Sequence, residues 1–162
     1  MFNPFFLYRA WQCPQQFLGL LLVKITGAEK RETGGIVWYW FNKDKNRFTR
    51  FISGVSLGRY ILLPYNDINT VKHEHGHSIQ SKYLGLFYLL IVGVYSAVFC
   101  NLWDRVFHKG WCRYDRAYWY YKTRRTESWA DELGGVDRDD VLRKIPRPCN
   151  ARYPAINDGG RE

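Results

Sequence analysis

Residues 66–84 read N-D-I-N-T-V-K-H-E-H-G-H-S-I-Q-S-K-Y-L, and their reading decides the fold. Asn66 or Asp67 suits a helix N-cap, because a short side-chain oxygen there accepts a backbone N–H of the first turn. Ile68, Val71, Ile79 and Tyr83 fall near one stripe at helical spacing. Gly85 follows where a C′ glycine closes a helix. The stretch therefore predicts a helix, on which residues four apart share a face. His73 and His77 are four apart. Both imidazoles can reach one zinc ion at about 2.0–2.1 Å. Glu74, one residue on, lies beside such a metal and not on it, where it can take a proton from a zinc-activated water. Gly76 costs roughly 1 kcal/mol in a helix interior relative to Ala, so a close approach by another backbone or a ligand is expected there. His75 faces another side and reads as a bystander.

Two histidines leave a catalytic zinc site incomplete, because a third protein ligand is needed and a water takes the fourth position. The compact continuation H-E-x-x-H-x-x-G-x-x-H is excluded, since positions 80 and 83 hold Gln80 and Tyr83. Downstream, Thr126-Glu127-Ser128-Trp129-Ala130-Asp131 lies in a predicted helix over 118–134, closed by Gly134-Gly135. Glu127 and Asp131 are again four apart. Glu127 can reach the zinc while Asp131 accepts the remaining N–H of a zinc-bound histidine, which sets its tautomer and ring orientation. Glu132, Asp137, Asp139 and Asp140 compete for the same roles.

With His73, Glu74 and His77 followed by Glu127 and Asp131, the chain resembles the gluzincin class of zinc peptidases, which join H-E-x-x-H to a later E-x-x-x-D helix. The resemblance covers the two motifs only. It implies Zn2+ as cofactor, Glu127 as third ligand, Asp131 as the orienter of His73, and a peptide or protein as substrate. The wording H-E-x-G-H-x-x-Q-S and T-E-x-W-A-D is also similar to that of a group of small bacterial proteins without an assigned activity, and implies no substrate. An oxyanion formed during hydrolysis needs a hydrogen-bond donor. Tyr118, Tyr120, Tyr121, His108 and Arg124 lie near the second motif and are the candidates, with Tyr118, Tyr121 and His108 favoured.

Around these motifs the pattern predicts an α+β fold. Residues 36–41 are rich in β-formers, 47–52 alternate with period two, and 55–63 read as a third strand stopped by Pro64. The expectation is a short antiparallel meander over 34–63 packed on the 66–84 helix, within one zincin-like domain over 1–145. An apolar entry segment occupies 1–27 and an extended tail 146–162. In zinc peptidases of this kind the strand before the motif helix offers its edge to an extended substrate.

The chain has 162 residues, enough for one core, with 46% hydrophobic and 24% charged residues, a globular balance. Aromatics reach 18%, which suits a broad groove or a membrane–water boundary. The net charge is +9, concentrated at Lys43, Lys45, Arg47, Arg50 and Arg59 and again across 105–125. No recognisable nucleic-acid motif accompanies it, so a nucleic-acid partner ranks last. Cys13, Cys100, Cys112 and Cys149 form no C-x-x-C pair and are expected to be buried thiols. No clear signal peptide opens the chain. Residues 83–103, YLGLFYLLIVGVYSAVFCNLW, carry no charge and have the length of a spanning helix, although Gly85, Gly93, Ser96 and Asn101 dilute it. A spanning helix and a buried core hairpin both remain open here. Location is accordingly membrane-associated or cytoplasmic. The competing functional reading is a non-catalytic membrane-associated protein with a structural zinc.

Overall fold

A computed structural model describes residues 11–45, 47–52, 54–147, 150, 152–154 and 156. It is α+β. Helix α1 (Cys13–Thr26) precedes strands β1 (Glu29–Thr33) and β2 (Ile36–Trp40), a short helix α2 (Arg47–Phe51), and strands β3 (Val55–Leu57) and β4 (Tyr60–Leu63). Helix α3 (Ile68–Leu84) leads through a 3-10 turn (Gly85–Phe87) into wide π-helical turns (Leu89–Val94 and Ser96–Trp103) and a short α4 (Asp104–Phe107). Helices α5 (Arg113–Thr123), α6 (Arg125–Gly134) and α7 (Arg138–Arg143) follow. The first ten residues of the entry segment and much of the 146–162 tail lie outside the described residues. In the part of the tail that is described, the Arg152 N–H donates to Asp115 Oδ1 (3.0 Å) and Tyr153 stacks on Tyr118.

The sheet order is β1-β2-β4-β3. β1 pairs antiparallel with β2 and β3 with β4, but β2 pairs parallel with β4. The expected all-antiparallel meander is therefore a mixed sheet. Residues 47–52 form no strand. Their alternation is real, but Phe48 points to solvent and the Thr49 hydroxyl turns back to the Lys43 carbonyl (2.8 Å), as a helical connection allows. That connection reverses the chain so that β4 can run parallel to β2. The predicted strand over 55–63 is a hairpin, folded at Gly58 in the left-handed region (φ 62°). β1 escaped the sequence reading because E-K-R-E-T offers no apolar residue. Its hairpin with β2 turns through Gly34-Gly35, both at positive φ, as a two-residue turn of the favoured hand requires.

β4 is buried on both faces. Ile61 and Leu63 meet Trp38 and Val71 of α3 on one side, while Tyr60 and Leu62 meet Phe41 and the α1 residues Leu22 and Val23 on the other. Each fully buried aliphatic side chain contributes roughly 1.5–3 kcal/mol. The sheet is thus sandwiched between α1 and α3, and α6 covers the far side of α3.

Helix α3 spans the expected residues. Asp67 is its cap, accepting from the Thr70 N–H (2.8 Å), and Gly85 closes it at positive φ. Its buried face differs from the predicted stripe. Ile68 and Tyr83 are exposed, and the buried residues other than Val71 and Gly76 are polar: His77, Ser78, Gln80 and Ser81. Tertiary hydrogen bonds offset the cost of burying them. Ser78 Oγ donates to the Gly58 carbonyl (2.6 Å), and Ser81 Oγ accepts from Gln12 and Gln15 (3.3 Å each). The predicted 118–134 helix is two helices that meet at Arg124, whose extended backbone (φ −88°, ψ 96°) breaks the run. The expectation of buried thiols fails at Cys13, which is exposed. Cys112 is half-buried and its Sγ accepts the Asp115 N–H (3.3 Å).

Within 83–103, Tyr88 and Val92 turn inward onto Leu57 while Leu86, Phe87, Leu90, Ile91 and Val94 face outward. The segment is therefore a half-buried layer, not a core hairpin. Among the described residues, no helix is long and apolar enough to cross a membrane.

Helices α3 and α6 touch backbone to backbone. A Cβ on Gly76 would collide with the Ala130 carbonyl, and a Cβ on Gly134 with that of Lys72. Neither neighbour can swing aside, because both are main chain. Gly76→Ala and Gly134→Ala are each expected to lower unfolding stability by roughly 3 kcal/mol. Gly110→Ala, whose Cβ would meet nothing within 4 Å, should stay within about 0.5 kcal/mol. Urea denaturation measures all three, and a cost for Gly76→Ala as small as that for Gly110→Ala contradicts the packing.

Candidate metal centre

The Gly76–Ala130 contact sets the site. His73 and His77 flank Gly76 along α3, and Glu127 and Asp131 flank Ala130 along α6, so both pairs meet where the helices are closest. His73 Nε2 and His77 Nε2 each lie 3.2 Å from Glu127 Oε2, and the candidate donor atoms of these three residues all fall within 4.8 Å of one another. Donors on a tetrahedral metal at 2.0–2.1 Å are about 3.3–3.4 Å apart, which matches both nitrogen–oxygen separations. The two imidazole rings stand edge to face at 4.7 Å.

Each histidine is held through its other nitrogen. His73 Nδ1 donates to Asp131 Oδ1 (2.5 Å), and Asp131 Oδ2 accepts from Arg138 Nε (2.9 Å). His77 Nδ1 donates to Gln80 Oε1 (2.8 Å), and Gln80 Nε2 donates to the Thr126 carbonyl (2.7 Å). These partners assign the Nδ1–H tautomer to both rings and leave both Nε2 atoms for a ligand. Gln80 therefore ties the second histidine to the first turn of α6.

Electrostatics follow from this wiring. Burial opposes charge on His73, but hydrogen bonds to Asp131 and Glu127 outweigh it and raise the imidazole to about 10. His77 is likewise raised: burial lowers it, and Glu127 more than compensates. Burial pushes Glu127 up, yet its hydrogen bonds to His73 and His77 hold it far below the usual carboxylate range. The cluster by itself is an ion-paired triad in which protons occupy the places of a cation. Glu127 is fully buried, and its Oε1 has no hydrogen-bond partner among the described residues. A buried charged oxygen left unpartnered is costly, and a divalent cation would satisfy it. Two imidazoles and a carboxylate are a donor set shared by zinc and other divalent transition metals such as iron(II). These residues fit a metal.

Glu74 faces the same space. Its Oε2 accepts from Ser56 Oγ (2.7 Å) on β3, and Glu74, His73 and His77 line one cavity of about 970 Å³. The edge strand β3, the Tyr88–Ser96 stretch, α5 and the end of α7 form its walls.

The proposed oxyanion donors separate. Tyr120 reaches the cluster, donating to Glu127 Oε2 (2.6 Å), and Tyr121 lines the cavity with its hydroxyl pushed up to about 12 by burial and by Asp131. Tyr118 does not reach it. Two residues before Tyr120 on a helix is the opposite face, and its ring stacks on Tyr153 at 4.7 Å. His108 stacks on Trp111 at 3.9 Å, and the Arg124 guanidinium lies over Trp119 at 5.7 Å. The rival acids are placed elsewhere. Asp137 caps α7, Asp139 pairs with Lys122, Asp140 pairs with Lys144, and Glu132 is exposed. Sequence reasoning missed Ser56, Gln80 as a histidine partner, and Arg138. Gln80, one turn after His77, carried a local signal; Arg138 and Ser56 carried none.

No protein-family model, curated protein or solved structure matches the chain.

The raised His73 value makes the metal-free protein pH-sensitive. Its ion pairs with Asp131 and Glu127 stabilise the fold fully below the unfolded histidine value near 6.5. That contribution is lost as pH rises toward about 10. In the presence of chelator, the melting temperature should fall by several degrees between these limits, and His73→Gln should flatten the slope. A slope unchanged by His73→Gln contradicts the assignment.

Proposed function

We propose that the chain is a zinc-dependent hydrolase acting on peptide bonds, with a gluzincin-like centre. The observation that carries this reading is the convergence of His73, His77 and Glu127, with Asp131 on the back of His73 and Glu74 beside them at a cavity. Structural zinc sites take four protein ligands, whereas catalytic sites take three and keep one position open. Three candidate ligands, of which His73 and His77 line a cavity together with Glu74, favour catalysis.

Zinc at this position would supply a Lewis acid and an acidified water. Glu74 is placed to accept a proton from the attacking water and return it to the leaving amine, with Ser56 holding its carboxylate. Tyr120, next to Glu127, is the donor best placed for the developing oxyanion. β3 is an edge strand whose residues line the cavity, which supports an extended peptide pairing along it.

The test is metal analysis of the purified chain combined with cleavage of a peptide library read by mass spectrometry. Glu74→Gln should retain zinc and lose about 10²–10⁴ in turnover. Asp131→Ala should lower zinc affinity by about 10–100-fold, and Glu127→Ala should abolish stoichiometric zinc. Full turnover in Glu74→Gln removes the mechanism, and full zinc occupancy in Glu127→Ala removes the ligand set.

A further inference from the structure

Helix α1 is inside out. It and the residue before it bury Gln12, Gln15, Gly19 and Thr26, and α1 exposes Phe17, Leu18, Leu20, Leu21 and Ile25. The inward glutamines serve the fold. Gln15 Nε2 donates to the Gly85 carbonyl (2.7 Å), and both glutamines reach Ser81. The outward face has no such role.

The segment that follows α3 repeats the arrangement. Tyr88 and Val92 face the core, while Leu90 is 67% exposed, Leu102 64% and Val106 61%. The two surfaces adjoin. The Trp11 ring packs edge-on against Phe87 (6.5 Å), and a Cβ on Gly85 would strike Trp11. Of the exposed large hydrophobic residues among those described, all but Val37, Phe48, Tyr65, Ile68 and Tyr83 belong to these two elements or to Trp11 beside them. Soluble monomers rarely leave a continuous apolar surface of that extent bare.

Charge selects the occupant. Residues 11–28 contain no Asp or Glu, and residues 75–107 contain one, Asp104, followed by Arg105. The cations that rim the face, Lys24, Lys82 and Lys109, are all exposed. Trp11 and Trp103 are exposed within it, a residue type that favours the headgroup level of a bilayer. A second copy would bring like charges together, whereas an anionic bilayer complements them.

We propose that the outer faces of α1 and of residues 85–107 lie in the interface of an anionic lipid bilayer, with their apolar side chains among the acyl chains and Lys24, Lys82 and Lys109 at the headgroups. The inner side of the same layer, Tyr88, Val92, Gly93 and Ser96, is a wall of the metal-site cavity. Tyr88 further donates to the Ser56 carbonyl (2.9 Å), and Ser56 holds Glu74. The cavity therefore lies directly behind the layer that meets the membrane. If the hydrolase reading holds, its substrates are polypeptides at the bilayer surface. The lipid contact itself rests only on the surface.

The experiment is co-sedimentation of the purified full chain with vesicles of phosphatidylcholine alone or mixed with phosphatidylglycerol. Binding should be at least about tenfold tighter to the anionic vesicles and weaken with added salt. Combined Phe17→Ser, Leu90→Ser and Leu102→Ser should reduce it by about tenfold or more, with melting temperature and zinc content unchanged. Lys82→Glu with Lys109→Glu should reduce it by a smaller factor. His77→Ala should bind vesicles like the parent, so loss of the metal reading and loss of the lipid reading are separable. No binding to either vesicle, or binding untouched by the triple substitution, overturns the proposal. A solution dimer that the triple substitution dissociates assigns the face to a second copy. Retention in vesicles through alkaline extraction assigns it to an inserted segment.

Discussion

The candidate site rests on one contact, the main chain of α3 against the main chain of α6. Gly76 lies on the Ala130 carbonyl, and Gly134 lies under that of Lys72. Any side chain at either glycine would push the helix axes apart. The donors of one helix would then be drawn away from those of the other, because histidine and glutamate side chains have a limited reach. The conformational cost of glycine in a helix, roughly 1 kcal/mol each, is accepted where it places two nitrogens 3.2 Å from one carboxylate oxygen.

The same closeness explains the polar interior. Side chains between α1, α3 and α6 include Gln12, Gln15, Gln80, Ser81, Glu127 and Asp131, all buried. Such groups are tolerable only when hydrogen-bonded. Gln80 bonds both His77 and the Thr126 carbonyl, Asp131 bonds both His73 and Arg138, and Ser81 receives both glutamines. The network fixes rotamers as well as satisfying charge, so the two Nε2 atoms are preorganised. It also displaces apolar residues outward, which is why the hydrophobic surface of this chain is found on its periphery.

Local rules read much of this correctly. Helix α3, a cap at Asn66 or Asp67, its glycine stop, a strand within 36–41 and a helix end at Gly134-Gly135 all follow from short-range chemistry that a neighbouring residue cannot mask. Gly76 was legible as a point of close approach because a glycine inside a helix needs a reason. The failures share a cause. Hydrophobic pattern misleads for the alternation of 47–52 and is silent for the charged β1: one is a connection whose Phe48 faces solvent and the other is an edge strand held by its hairpin turn. It misleads on α3 as well, where the buried face is the polar one.

The sequence by itself determined which residues were candidates to converge, because His73 and His77, and Glu127 and Asp131, are each marked by helical spacing, a property of the chain's own geometry, with Glu74 next to His73. Only the tertiary structure decided how they are wired. That Gln80 serves His77, that Arg138 steadies Asp131, that Ser56 holds Glu74, and that Tyr120 and not Tyr118 faces the cluster all depend on how separate helices cross. A helix crossing is set by where backbones can touch. Here that is settled by two glycines 58 residues apart in a 162-residue chain, a separation over which no local pattern carries information.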